Sequence, residues 1–324
     1  MTDNKNSAFA KKRILVPVYS QSGQLTDITQ KILSPLQESG EFDIVFLTLK
    51  PITPYPFPWP FFQFLDAFPE SIYQVAPPLE PLALRDNDEF DLIILPYQVW
   101  YLAPSLPVTA LLQNPVFKRI AAGKPVITII ACRNMWHLAQ EKMKKTLQAI
   151  GARLLDNVVL TDQGGTFATF ITVPRWLWTG RSNAFWGLPA AGVHPDEIQR
   201  SRRFGLALRD ALRQNQEKKD RPLLAGLGAV NAEPTLLVSE GAATRSFMVW
   251  GKLVRAIGQP GGAARIPVLF LYVIFLKILI ITVVPISLLL QLLLRPFLRG
   301  KLAAAKCYFE APSGSGKERL NLYE

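Results

Sequence analysis

Residues 14–33 constrain this chain more than any other stretch. An apolar run, Ile14-Leu15-Val16-Pro17-Val18-Tyr19, tightens through Ser20-Gln21-Ser22-Gly23-Gln24 and continues with apolar residues at Leu25, Ile28, Ile32 and Leu33, which is helical spacing. The pattern reads as strand, hydroxyl-rich turn, helix. In an open parallel sheet such a turn lies at the carboxyl edge of its strand, where backbone N–H groups and the helix N-terminus converge on an anion site. The loop has two serine hydroxyls, one glycine and no Lys or Arg, a neutral cradle suited to the single phosphate of a mononucleotide. The triphosphate cradle G-x-x-x-x-G-K-[ST] and the dinucleotide fingerprint G-x-G-x-x-G are both missing, because Gly23 is the loop's only glycine. ATP and NAD are therefore disfavoured at this loop. The same residues would also serve as an ordinary helix cap. Pro17 lacks an N–H and predicts a bulge or irregularity in a strand that should be internal.

Four more apolar runs follow, at 42–49, 91–96, 123–130 and 154–160, with helical patterns between them. The run Asp91-Leu92-Ile93-Ile94-Leu95-Pro96 is apolar throughout after its first residue, as expected of a strand buried on both faces of a parallel sheet. It leads into an aromatic loop, Tyr97-Gln98-Val99-Trp100-Tyr101, and the next run leads into Cys132-Arg133-Asn134 before a helix over 137–150. Three strand-to-helix loops thus face one edge. Arg133 can neutralise a carboxylate or a reduced, negatively charged ring, and Asn134 can hydrogen-bond a carbonyl. The plainer alternative pairs Arg133 with an acidic neighbour. Cys132 in this place is expected to be an inert buried thiol.

Between the second and third runs, residues 50–70 hold five prolines from Pro51 to Pro60 and seven aromatics, Tyr55, Phe57, Trp59, Phe61, Phe62, Phe64 and Phe68. Proline keeps the stretch extended as far as Pro60, and aromatics at this density need an apolar surface to cover. It is either a satellite core under a long loop or a lid over an apolar pocket.

Ser20-x-Ser22-Gly23 resembles the FMN phosphate loop of flavodoxins, Ser/Thr-x-Thr-Gly-x-Thr, with Leu25 where the last hydroxyl is expected. The aromatic loop after the third strand resembles that of flavodoxin-like quinone reductases. Taken with Phe57-Pro58-Trp59-Pro60, Phe68-Pro69-Glu70-Ser71 and Arg133-Asn134-Met135-Trp136, these segments are similar to the flavodoxin-like dialkylresorcinol condensing enzymes over roughly the first two hundred residues. The resemblance implies an α/β fold, a doubly wound five-stranded parallel sheet in the order 2-1-3-4-5. It also implies an FMN site built from Ser20, Gln21, Ser22, Gly23, Gln24 and Leu25, then Tyr97, Gln98, Val99, Trp100 and Tyr101, then Cys132, Arg133 and Asn134. Trp100 and Tyr101 would stack on the flavin, and Arg133, Asn134 and Tyr101 are the candidate catalytic residues. The implied role is forming or aromatising a resorcinol ring from two fatty β-keto acyl chains, with NAD(P)H as electron donor and a ketosynthase as protein partner. A general membrane quinone reductase and a non-catalytic assembly protein remain as alternatives.

The net charge of +11 and the pI of about 9.7 call for an anionic partner. The partner is expected to be lipid, because 266–294 is almost wholly apolar, Lys277 being its only charge. Some ~20 strongly apolar residues at about −0.4 kcal/mol each outweigh one central Lys at about +3 kcal/mol. Basic residues flank both ends, Arg255 and Arg265 before, Arg295, Arg299 and Lys301 after, so charge does not orient the segment. Lys277 and Pro285 divide it, which leaves one tilted crossing or a re-entrant hairpin. The expected organisation is a flavodoxin-like domain over 1–213, a linker over 214–241, a basic amphipathic helix and glycine turn over 242–262, a membrane segment over 263–299 and a polar tail over 300–324. This places the protein at the cytoplasmic face of the inner membrane. The polar N-terminus is no secretory signal, and two distant cysteines suit a reducing setting. His137 has no second histidine or acidic cluster at ligand spacing, so no metal site is expected, the missing G-x-S-x-G disfavours serine hydrolysis, and no nucleic-acid motif competes for the charge.

Overall fold

A computed structural model describes residues 11–324, apart from the side chains of 283–285 and 287–296. The reading of the first ten residues, and that of Pro285 and Arg295, therefore lies outside what is described.

The chain alternates strand and helix as the apolar runs require. Strand β1 (Lys12–Val18) is followed by helix α1 (Gln24–Ser39), β2 (Phe42–Thr48), two short helices α2 (Phe61–Asp66) and α3 (Phe68–Tyr73), and β3 (Leu92–Trp100). Next come the two-residue β4 (Ala103–Pro104), α4 (Leu106–Gln113), α5 (Pro115–Ala121), β5 (Pro125–Cys132), α6 (His137–Ile150) and β6 (Arg153–Thr161). The remaining helices are α7 (Thr166–Thr179), α8 (Pro195–Arg200), α9 (Arg202–Arg213), α10 (Leu236–Ile257) and α11 (Ile266–Glu310). The main sheet runs β2-β1-β3-β5-β6 with every neighbouring pair parallel, while β4 turns back antiparallel on β3. Counting only the parallel strands, this is the 2-1-3-4-5 order of the flavodoxin-like doubly wound sheet.

The irregularity expected at Pro17 takes an unexpected form. β1 stays regular along β2, where Pro17 pairs in register with Leu47, but its pairing with β3 is limited to Ile14↔Leu92 and Leu15↔Ile93. Continuing that register sets Pro17 beside Leu95 and Pro96 beside Val18, so both strands carry proline, which has no N–H to donate, where the ladder stops. The β1–β3 ladder therefore ends early, at the chain-reversal point between the two strands.

Ile14, Leu15 and Val16 and the inner face of α1, Leu25, Ile28, Ile32, Leu33 and Leu36, are almost fully buried in the main core. Each large side chain so buried contributes about 1.5–3 kcal/mol. α9 lies against α1 closely enough that a methyl on Gly205 would meet the Ile32 carbonyl at 1.8 Å.

The expected linker over 214–241 is corrected. Leu223, Leu224, Leu227, Ala229, Val230 and Ala232 are buried in the main core, and Val159 N–H of β6 donates to Ala229 O. The charged run before Pro222 drew the boundary, but the apolar residues after it cover the far side of the sheet. The tail over 300–324 is equally part of the domain. Phe309 enters the core, and Ser313 Oγ donates to Asp156 Oδ1 at 2.8 Å while accepting from Asn157 N–H at 2.7 Å. Asp156 also accepts from Leu223 N–H and Leu224 N–H, and burial pushes its carboxyl up to about 6 against the pull of these bonds.

A second cluster, Leu65, Phe68, Val254, Leu269 and Tyr272, joins α2, α3, α10 and the start of α11. Arg265 is buried beside it and makes ion pairs with Asp66 at 3.0 Å and Glu70 at 2.9 Å. The amphipathic helix expected over 242–262 is the greater part of α10, and its inner face packs on α3, where Gly251 lets Pro69 and Tyr73 come close.

Candidate functional site

The carboxyl ends of β1, β3 and β5 carry two unlike sets of residues. On one side the β1–α1 loop turns at Gly23, whose φ of 88° favours glycine, and no side chain caps α1. A Cβ on Gly23 would meet nothing within 4 Å, so the loop is open at this glycine. Ser20 Oγ is buried without a hydrogen-bond partner. Gln21 Nε2 donates to Pro56 O at 3.0 Å, and Gln24 Oε1 accepts from Val193 N–H at 3.0 Å. Ser22 is half-buried beside them. Leu25 points into the core and supplies no polar group where the resemblance expects a hydroxyl.

Gln98 lies level with Ser20 when the β1–β3 register is continued, and its backbone pairs with Ala131 of β5. Its side-chain Oε1 is also buried and unpartnered, as is Oδ1 of Asn134 after β5. Three orphaned polar atoms thus stand at the carboxyl ends of β1, β3 and β5. Leaving a buried polar group unpaired costs about 1–3 kcal/mol, so such a grouping has the chemistry of a polar ligand site.

The aromatic residues after β3 are engaged with the protein itself. Trp100 meets Tyr19, Tyr55 and Trp59 edge-on, with ring centroids 5.9, 5.1 and 5.1 Å away. Tyr55 and Trp59 belong to the 50–70 stretch, and Trp59 N–H donates to Leu177 O of α7 at 2.8 Å, so this stretch is held from two sides. Burial raises the Tyr55 phenol to about 12 and drives that of Tyr19 higher still. Tyr101 and Leu102 form the turn of a tight hairpin at φ 48° and 60°, left-handed values that cost non-glycine residues energy. Tyr101 belongs to the second cluster: its hydroxyl donates to Phe64 O at 2.6 Å and its ring packs on Phe68 and Phe247. Tyr97 lies in the core, donating to Gln140 Oε1 at 2.6 Å, with its phenol pushed far up by burial. Val99 pairs with Pro104 in the hairpin.

Arg133 does not pair with an acid within 4 Å among the described residues. Its Nε donates to Thr169 Oγ1 at 2.7 Å and its Nη2 to Thr166 O at 3.1 Å, and its guanidinium lies 4.0 Å above the Phe170 ring centroid. Burial pushes it down to about 10, so it keeps its charge at neutral pH. The Cys132 thiol is raised by burial, the condition of an unreactive cysteine.

Two contributors escaped the sequence reading. Asp162, just beyond β6, accepts from Gly164 N–H at 2.7 Å and from Gly192 N–H, and burial raises its carboxyl. Gly192, at φ 101°, sits so close to Gln24 that a Cβ would lie 2.7 Å from Nε2. This clasp brings residues 190–193 over the β1–α1 loop. Asp162-Gln163-Gly164-Gly165 was the only signal for it, and its partner lies thirty residues away.

Comparison with known proteins returns likenesses of shape only. No family model matches the sequence, and no curated protein matches it. Among solved structures, the chain is similar to a flavoprotein in complex with FMN from Lactobacillus acidophilus, at 20% identity, over 46% of this chain and 93% of that one, with a TM-score of 0.37. It is also similar to a flavodoxin from the Archaea, at 12% identity over 62% and 99%, with a TM-score of 0.34. Likenesses this low carry no argument; the fold assignment rests on the strand order itself.

Proposed function

We propose that this edge of the sheet holds FMN and that the protein is a flavin-dependent oxidoreductase working beside a membrane on an apolar aromatic or pre-aromatic substrate, of the class from which dialkylresorcinols are made. The carrying observation is that Ser20 Oγ, Gln98 Oε1 and Asn134 Oδ1, buried and unpartnered, belong to the carboxyl ends of three adjacent strands, the first of which leads into the uncapped start of α1. These residues fit the group. Gly23 and the first-turn N–H groups of α1 would hold the phosphate, with the Ser20 and Ser22 hydroxyls donating to it. Gln98 and Asn134 would accept hydrogen bonds from the ring's polar edge.

FMN would supply the electron or hydride transfer that no side chain at this edge performs. Arg133, charged at neutral pH, offsets negative charge gained by the ring or carried by a carboxylated substrate. Tyr55, Trp59 and Trp100 exclude water from it. NAD(P)H is the electron donor this reading draws on. The setting is the cytoplasmic face of the inner membrane, reached through the segment Ala263–Thr282, which leads into α11 and is long and apolar enough to cross a bilayer. An alkyl-chain substrate would meet the protein there.

One observation favours a second reading. Trp100 and Tyr101 are already packed against the protein's own rings, as in an assembly protein that has kept the fold and recruits a ketosynthase. The test is the visible spectrum of the full chain purified in mild detergent. Bound flavin, or uptake of added FMN, supports the redox reading; neither would leave the assembly role. Turnover of simple quinones without activity on cyclised polyketide precursors would make it a general quinone reductase.

A further inference from the structure

We infer that the apolar stretch of α11 enters one leaflet of an anionic bilayer and returns to the side it came from, instead of crossing. The inference rests on the membrane reading given above and fixes its topology. Both ends of the helix are docked on the same domain. At the start, Arg265 is buried between Asp66 and Glu70, and Leu269 and Tyr272 are buried against Phe68, with Tyr272 packed on Phe247 and Trp250. At the end, Phe309 meets His137 edge-on at 5.1 Å in the main core, and Tyr308 donates to Glu141 at 2.8 Å. Beyond it the chain stays within the domain: Gly228 N–H donates to Gly316 O, Val230 N–H to Gly314 O, and Arg319 to the carbonyls of Leu223 and Ala225. A crossing would carry these residues to the opposite side of the membrane and strip all of their contacts.

Distance gives the same answer. Drawn straight, a helix would separate residues 272 and 309 by about 55 Å at 1.5 Å per residue. Their docking points are bridged by α10 within seven residues, about 10 Å of helix. Glu240 of α10 bonds His137, which touches Phe309, and Phe247 of α10 touches Tyr272. α11 therefore does not run straight between its docked ends.

Length and charge identify the occupant. Residues 266–294, folded into two halves, give arms of about 21 Å, longer than the ~15 Å to the bilayer midplane and shorter than its ~30 Å core. Between the docked ends, Phe270, Leu271, Ile274, Ile278 and Ile281 are exposed on the protein. Exposed basic residues stand at both ends, Lys252 and Arg255 on one side and Arg299 and Lys301 on the other, where phosphate headgroups of the same leaflet would meet them. Val249 and Leu253 on the outer face of α10 extend the apolar surface between them.

The test uses the native Cys307, which is exposed just before the returning end, and a second cysteine introduced by Gln259→Cys in the exposed turn before α11, with Cys132→Ala to remove background. The full chain is expressed in bacterial inner membrane and labelled with a membrane-impermeant maleimide in sealed vesicles of both orientations. The expected result is that positions 259 and 307 label together in one orientation and are both protected in the other. Labelling from opposite faces would overturn the inference while leaving membrane attachment intact. Recovery of the protein in the soluble fraction, with no flotation on vesicles of phosphatidylcholine and phosphatidylglycerol, would overturn both. As a check independent of the cysteines, Ile274→Asp with Ile278→Asp should lower vesicle flotation at least tenfold, and unchanged flotation would count against insertion by this stretch.

Discussion

The two loops that follow β1 and β3 handle their polar and apolar groups in opposite ways. The β1–α1 loop leaves Ser20 Oγ without a partner and α1 without a cap, while the turn of the β3–β4 hairpin satisfies the Tyr101 hydroxyl and packs the Trp100 and Tyr101 rings against other aromatic side chains. One loop leaves its hydroxyl and its helix start unpaired; the other pairs the polar group at its turn. Aromatic residues at a strand end drew attention in the sequence, yet it is the grouping of unpaired polar atoms at adjacent strand ends that marks the candidate site.

This contrast can be broken by substitution. The largest effect is expected from Gly23→Val, which forces a β-branched residue to φ 88° and fills the cradle. FMN affinity should fall about 100-fold, from strain of the order of 1–3 kcal/mol with added steric block, as read by fluorescence quenching on titration. Tyr101→Phe should do the reverse. Loss of its bond to Phe64 O should cost about 1–3 kcal/mol in denaturant unfolding, with FMN affinity changed less than about twofold. A large affinity loss from that variant would mean the hairpin belongs to the site after all.

Asn134→Ala and Ser20→Ala remove atoms that have no partner within the protein, so each should leave stability unchanged or slightly raised. Each should still weaken FMN by roughly fivefold, about 1 kcal/mol. If either proves destabilising without touching flavin, the candidate-site reading fails. The smallest effect belongs to Gln21→Ala, which unties the loop from Pro56 O of the 50–70 stretch and should cost about 0.5–1.5 kcal/mol of stability, measured as a shift in urea midpoint.

The sheet was legible because its strands are buried on both faces and show it as unbroken apolar runs; even the helix over 137–150 has the expected ends. Strand ends were less so. β3 continues past Pro96 to Trp100 because β4 folds back on it, a pairing that no local pattern announces. Of the candidate site residues, Ser20, Gln98 and Asn134 stand at adjacent strand ends, whereas Tyr97, Tyr101 and Leu25 serve packing. An aromatic or aliphatic residue beside a crevice has the same sequence signature whichever way it turns, so only the packing separates them. The same limit hid residues 223–232, whose apolar character is plain but whose destination, beside the outer edge of β6, depends on partners eighty residues away.

The bond from Ser313 to Asp156 also sets an order of events during synthesis. The ribosome makes β6 and its buried carboxylate first, then the apolar stretch of α11, and only afterwards the residues that close over that carboxylate. For an interval the stretch has left the ribosome while the clasp that returns it to the domain does not yet exist. During that interval the sheet is missing part of its cover and the lipid-seeking segment is tethered at one end only. Insertion and the completion of the fold are thereby two ends of a single closing step, and a ribosome stalled before Ser313 should expose Asp156 and the buried leucines at 223, 224 and 227 to solvent or chaperone together.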